Sequence, residues 1–225
     1  MEAATTTATD SVTFVIPTEF AALADVASQE ETRYSINGIA LMDSAGRGAC
    51  AQATDGRICA RVPLSVEYNE SMEPLGLGVP AIVPLHAWRH AFAKLGRGKR
   101  RPESVRLQLV RRGATFPWTW IVRDGLGSVL SGSCIEGRWP DVDAILAVKE
   151  RGPARCVSLD CGHLSRLVSG LGLDSGERAP ALVFTEAGPK GWGPVLVAHE
   201  GEGETIARGG TVPILAGAIM PRIAT

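Results

Sequence analysis

The chain is expected to fold as α+β, with short helices on one side of antiparallel sheets. A unit of strand, helix and further strands recurs three times along its 225 residues. In each unit the helix is amphipathic, with apolar residues spaced by three and four, and the strands are bounded by Gly, Pro or Asp turns.

The first unit opens with Val12 to Ile16, a run of β-branched and aromatic residues that reads as a strand. Pro17-Thr18-Glu19 then starts a helix that places Phe20, Leu23, Ala24 and Ala27 on one face. Strands are expected at Tyr34 to Met42 and Ala49 to Val62, with Gly46-Arg47-Gly48 turning between them. Gly76 to Gly78 and Pro80 link to the second unit. Its opening strand is Ala81 to Pro84, and its helix runs Leu85 to Leu95 with Leu85, Trp88, Phe92 and Leu95 on one stripe. Strands follow at Val105 to Val110, Thr119 to Val122 and Ser128 to Ile135. The third unit opens at Cys156 to Leu159. Asp160 is placed to cap a helix carrying Leu164, Leu167 and Val168, which Gly170 and Gly172 end. Strands at Ala181 to Thr185, Val195 to His199 and Leu215 to Met220 complete it.

Composition narrows the function classes. A net charge of −1 gives no global attraction to nucleic acid or membrane, so any DNA affinity has to come from local clustering. Five cysteines, an odd number without a C-x-x-C pair, argue against a disulfide framework or zinc knuckle and fit a reducing cytoplasm. Residues 1–11 are small, polar and Thr-rich, read as a flexible tail, and lack a signal-peptide pattern. No apolar run reaches the length of a membrane span.

Catalytic and metal constellations are poor. His86 and His90 have i, i+4 spacing but no Glu after His86, so surface histidines beside Trp88 explain them better than a metal site. Cys161-Gly162-His163 lacks any further base or oxyanion signal. Trp118 and Trp120 alternate on a strand and could stack on bases, though core packing is the simpler reading. The chain is therefore read as no enzyme, with no cofactor and no metal.

Charge placement is more informative. Arg89, Lys94, Arg97, Lys99, Arg100, Arg101, Arg106, Arg111 and Arg112 face only Glu103 as an acid in that stretch. On one face they would form a phosphate-contacting patch, with Arg89, Lys94, Arg97, Lys99, Arg100 and Arg101 as the DNA-binding candidates. A solvated basic loop is the plainer alternative. The first helix carries Glu19, Asp25, Glu30 and Glu31, the wrong sign for a phosphate surface, and the third offers only His163 and Arg166.

Two segments and the chain's end carry a resemblance. Thr32-Arg33-Tyr34-Ser35-Ile36-Asn37-Gly38 is followed by Ala53-Thr54-Asp55-Gly56-Arg57-Ile58-Cys59-Ala60-Arg61, then Glu136-Gly137-Arg138-Trp139-Pro140-Asp141-Val142, and finally Ile219-Met220-Pro221-Arg222. In this order they resemble the middle domain and the end of the bacterial DNA polymerase III beta sliding clamp, whose phrases read roughly R-Y-x-L-N-G, A-T-D-G-H-R-L-A, G-R-F-P-D-Y and M-P-M-R. The resemblance implies the sliding-clamp fold. It divides the chain into a full clamp-like domain at 12–148 (units 12–75 and 77–148) and a third unit at 154–225, half of a second domain.

The resemblance also implies a processivity factor that tethers replication or repair proteins to duplex DNA. A groove for short hydrophobic peptides would be lined by Arg33, Ile36, Thr54, Gly56, Arg57, Cys59, Pro140, Ile145, Ala218 and Met220. Cys59 stands where the family usually has Leu, Arg57 where it has His, and Ala218 where it has Val. The partners implied are duplex DNA, a polymerase or repair protein carrying a clamp-binding peptide, and further copies of the chain, since clamp subunits carry six units and this chain has three. The alternative is a clamp-derived regulator that binds such peptides without encircling DNA, favoured by the acidic first helix and the missing units.

Overall fold

The computed structural model describes residues 9–44, 48–68, 80–95, 102–112, 117–146, 160–173, 180–184, 195–199 and 216–219. Strand β1 (Thr9–Pro17) leads into a 3-10 helix (Thr18–Asp25), a second 3-10 helix (Glu31–Ile36), β2 (Gly38–Ser44), β3 (Gly48–Thr54) and β4 (Ile58–Tyr68). The order repeats as β5 (Ala81–Pro84), α1 (Leu85–Ala91), β6 (Ser104–Arg112), β7 (Thr119–Arg123) and β8 (Val129–Ser133). After α2 (Val142–Leu146) come α3 (Cys161–Gly170), β9 (Pro180–Phe184), β10 (Val195–His199) and β11 (Ala216–Ile219).

The first two units pair as equivalent halves. β1 pairs with β6 and β5 with β2, while β2-β3-β4 and β6-β7-β8 are matching antiparallel meanders. β4 returns to β1, and Ile135, just beyond β8, bridges to Ile82 in β5, so the pairing closes on itself. Exchanging the two units maps each pairing onto another. The third unit joins through β11, which pairs with Ile58–Arg61 of β4.

Strand alternation sends successive residues to two different cores. On one face Ile39, Leu41, Ala51, Ile58, Ala60, Val62, Leu107 and Leu109 pack with Phe20, Leu23, Trp88 and Leu167 of the helices. On the other, Ala40, Cys59, Leu196, Ala198 and Ala218 pack under Trp139, Val142 and Leu146. Helix α2 therefore lies on the face opposite α1 and α3, and the helices do not all share one side.

Several local expectations need correction. The first helix winds as a 3-10 helix, yet it buries the expected Phe20, Leu23 and Ala24. Tyr34 to Ile36 belong to the second 3-10 helix, closed by the Asn37 amide on the Arg33 carbonyl at 3.0 Å, so β2 starts only at Gly38. Ala49 to Val62 is split by the turn at Asp55-Gly56-Arg57. Thr9–Ser11 are strand, paired with Val110–Arg112, and do not belong to the tail. Asp160 caps α3 as expected, its carboxylate accepting from the Gly162 and His163 amides. The expected strand at Cys156 to Leu159 lies outside the described residues.

Helix α3 docks by a close approach. A Cβ at Gly170 would meet Val26 Cγ2, and one at Gly217 would sit 2.9 Å from the Cys59 carbonyl and against Leu167. Leu167 is fully buried between the 3-10 helix and β11. Leu167→Ala is expected to lower stability by about 2–5 kcal/mol in a denaturant titration, from reduced apolar burial plus the cavity left behind.

Asp124 fixes the β7–β8 turn. One carboxylate oxygen accepts from the Leu126 and Ser128 amides, at 2.9 and 2.8 Å, and the other lies 3.0 Å from Lys94 Nζ. The Lys94 ammonium and these amides hold the acid down at about 2. A depressed carboxylate pKa contributes stability above its unfolded value of about 4, lost as pH falls through 2. Asp124→Asn is therefore expected to be less stable than wild type at pH 7, with the two urea midpoints converging between about pH 4 and pH 2.

Candidate functional site

On the face opposite the main helices, three strands lay small residues in register. Thr54 of β3 is opposite Cys59 of β4, which is opposite Ala218 of β11. Ile36, at the end of the second 3-10 helix, packs against the same cluster, as do Trp139, Val142 and Leu146 from above. Helix α2 buries Val142 and Leu146 and leaves Ile145 exposed at 37%. Pro140, also exposed, precedes it and accepts from the Val142 amide at 2.9 Å. The result is a layer of short side chains covered by Trp139, Val142 and Leu146, with Pro140 and Ile145 exposed on the covering segment.

Beside this cluster, Thr54 leads into a hydrogen-bonded turn. Thr54 Oγ1 donates to the Ile58 carbonyl at 2.7 Å and accepts from the Gly56 amide at 3.1 Å. Asp55 accepts from the Arg57 and Ile58 amides at 2.8 and 2.9 Å. Gly56 has φ +88°, a left-handed conformation that selects glycine. Arg33 donates to the Asp55 carbonyl at 3.1 Å and pairs with Glu30 at 3.0 Å, so it stands beside the turn.

Of the residues named from the sequence, Ile36, Cys59 and Ala218 share one apolar cluster and Thr54 adjoins it. Pro140 and Ile145 lie on the segment above, while Gly56 and Arg57 belong to the turn and Arg33 stands beside it. Met220 follows the last residue of β11 and lies outside the described residues.

The sequence reading missed the polar connection beneath α2. Asp143 accepts from Arg61 at 2.7 Å and from the Gln52 amide at 3.0 Å, and the Gln52 oxygen accepts from the Trp139 indole at 2.9 Å. Gln52, a large polar residue between Ala51 and Ala53 of β3, was the available signal.

The basic residues assemble differently from the sequence expectation. Arg106 pairs with Glu67, Arg111 with Asp10 over the Trp118 ring, and Lys94 with Asp124. Arg106 alternates with buried Val105 and Leu107, so it faces away from α1 and does not share a face with Arg89. Arg97, Lys99, Arg100 and Arg101 lie outside the described residues. Arg89 instead lines an open pocket of about 620 Å³ with Arg33, Arg57, His163 and Arg166. Asp25, Glu30 and Asp55 share it. Arg166 donates to the Asp25 carbonyl at 2.6 Å and pairs with Asp55 at 3.1 Å, and Arg89 donates to Gln29 at 2.9 Å. Arg89 is thus held in place by a neutral acceptor.

The histidines have separate partners: His86 is edge-on to Trp120, and His90 Nε2 lies 3.1 Å from the Ser128 carbonyl. Trp120 is a core residue donating to the Ser133 carbonyl. No group of three or more His, Cys, Asp or Glu is arranged to hold a metal among the described residues. No described helix is long and apolar enough to cross a membrane.

This architecture is that of a DNA clamp. It resembles the beta sliding clamp of Bartonella birtlesii bound to griselimycin, with a TM-score of 0.51 and 14% identity over 95% of this chain and 66% of that one. The Caulobacter crescentus sliding clamp gives a TM-score of 0.48 at 18% identity, covering 100% of this chain and 68% of that chain. The Helicobacter pylori beta clamp bound to a DNA ligase peptide gives 0.48 at 12% identity, over 99% and 67%. The chain thus has the fold of the bacterial DNA polymerase III beta sliding clamps and spans about two thirds of their length. No family model matches the sequence, and no curated protein matches it.

Burial pushes the Cys59 thiol up to about 12, so at neutral pH it is an uncharged part of the cleft floor. Cys161 is exposed at the start of α3. Iodoacetamide at pH 8, read by peptide mass spectrometry, is expected to label Cys161 in the folded chain and to leave Cys59 unmodified until denaturant is added.

Proposed function

We propose that the chain is a sliding-clamp-like processivity factor, tethering replication or repair proteins to duplex DNA through a hydrophobic peptide cleft. The observation that carries this is the outer face of the sheet. Ile36, Cys59 and Ala218 meet in one apolar cluster although they come from distant parts of the chain, and Ile145 stands exposed beside them. Short apolar floor residues, an apolar wall and a rigid polar end suit an extended peptide with apolar anchors. The whole reading treats 12–148 as a full clamp-like domain and 154–225 as half of a second.

In this role the helix side would hold phosphates. Arg33, Arg57, Arg89 and Arg166 converge from separate elements on one pocket, which supports contact without sequence readout. Tethering needs no bond made or broken; it raises the partner's effective concentration near DNA. Three units per chain call for copies associating across two-fold axes to complete a ring.

A second reading is a regulator that binds the same peptides without encircling DNA. Glu30 and Asp55 each neutralise an arginine of the pocket and Asp25 adds a third acid, which weakens the attraction for phosphate.

The labelled DNA ligase peptide of the Helicobacter pylori complex is a direct probe. Ile145→Asp is expected to weaken its binding about tenfold or more in fluorescence anisotropy, by placing a charge on the apolar wall. Equal affinity for wild type and variant would reject the cleft. For DNA, Arg57→Glu with Arg89→Glu should cut duplex affinity about tenfold and make the slope of log affinity against log salt shallower by roughly one for each phosphate no longer neutralised. Peptide binding with no duplex binding at low salt would select the regulator.

A further inference from the structure

We propose that Arg61, Gln52 and Asp143 are positioning residues for the cleft, a polar clamp that sets where α2 stands over the Cys59–Ala218 floor. The inference rests on the peptide-cleft reading and adds to it the residues that fix the cleft's shape.

Helix α2 has five residues, too few to hold a helical conformation alone. Its attachment has two parts. Val142 and Leu146, one turn apart, bury against the sheet, and Asp143 reaches the two side chains beneath it. Those two are directly opposed across the strand pair, Gln52 on β3 and Arg61 on β4. Gln52 uses both ends of its amide, donating to Asp143 and accepting from Trp139. Two anchors therefore hold the segment: Trp139 immediately before Pro140, and Asp143 two residues before Ile145. Successive helical residues turn by about 100°, so holding Asp143 toward the sheet aims Ile145 away from it, in keeping with the exposure of Ile145.

Packing alone does not require this chemistry. The surrounding floor is Ala40, Cys59, Ala198 and Ala218, and Gln52 and Arg61 are only 1% and 7% exposed. A buried ion pair is often no more stabilising than apolar residues of similar volume, and its best-attested use is to fix one arrangement among several. Apolar contacts would let α2 slide or roll on a floor of small side chains. Directional bonds to a carboxylate and an indole do not permit that.

The test uses the full chain, Asp143→Ala, and the double variant Arg61→Met with Asp143→Leu, which replaces the ion pair by apolar groups. In Asp143→Ala, hydrogen exchange at the amides of 142–146 and at the Trp139 indole is expected to quicken at least about tenfold, while β3 and β4 stay protected. Its affinity for the ligase peptide should fall about tenfold or more. The double variant should keep the wild-type melting temperature and still bind the peptide weakly, separating positioning from stability. Unchanged exchange at 142–146, or wild-type peptide affinity in the double variant, would overturn the proposal. A wild-type chain that fails to bind the peptide would overturn the cleft reading, and the positioning role with it.

Discussion

The structure depends on strand β4. Its eleven residues pair with β3 along one edge, and along the other with β11 over Ile58–Arg61 and then with β1 over Ser65–Tyr68. One continuous strand thereby joins the first unit to the third, and its partner β1 carries the pairing on to β6 of the second. Because side chains alternate, Ile58, Ala60 and Val62 enter the core under the helices while Cys59 and Arg61 face the cleft. A slip of one residue would exchange the two sets, putting a guanidinium into the main core. The apolar demand of that core therefore fixes the register on which the cleft is built.

The turn that enters β4 couples the two faces. The Asp55 backbone carbonyl is held by Arg33 from the second 3-10 helix, and its carboxylate by Arg166 from α3. Pairs as exposed as Arg33 with Glu30 add little to stability. What these contacts supply is placement, since they bring cations from separate elements to one pocket at the cleft's polar end. The cleft and the basic pocket are thus neighbours, a suitable arrangement for a protein that holds a peptide close to a polyanion.

Much of the fold was legible in the sequence because its signals are local. The apolar stripe of Phe20, Leu23 and Ala24 and the Asp160 cap each follow from a few adjacent residues. The second 3-10 helix was not legible. Tyr34 and Ile36 have strand-like side chains, and only the Asn37 closure and the contact of Gly38 with Val83 and Ile82 decide where β2 begins. Ile36, Cys59 and Ala218, which share one apolar cluster, were named through ordered motifs, not through periodicity. Its polar clamp escaped because Gln52 and Asp143 are 91 positions apart and no local pattern links them. The basic stretch misled for the converse reason: adjacency in sequence brought Arg89 and Arg106 together, while alternation along β6 turned them to different faces.

The central claim is that the outer face of β3, β4 and β11, walled by α2, receives an apolar peptide. Methyl-resolved NMR during titration with the ligase peptide tests it most directly. Saturable shifts concentrated at Ile36, Ile145 and Ala218, with Leu23 and Leu167 of the opposite core unmoved, are the predicted result. Shifts confined to the helix side, or none at saturating peptide, would contradict the account.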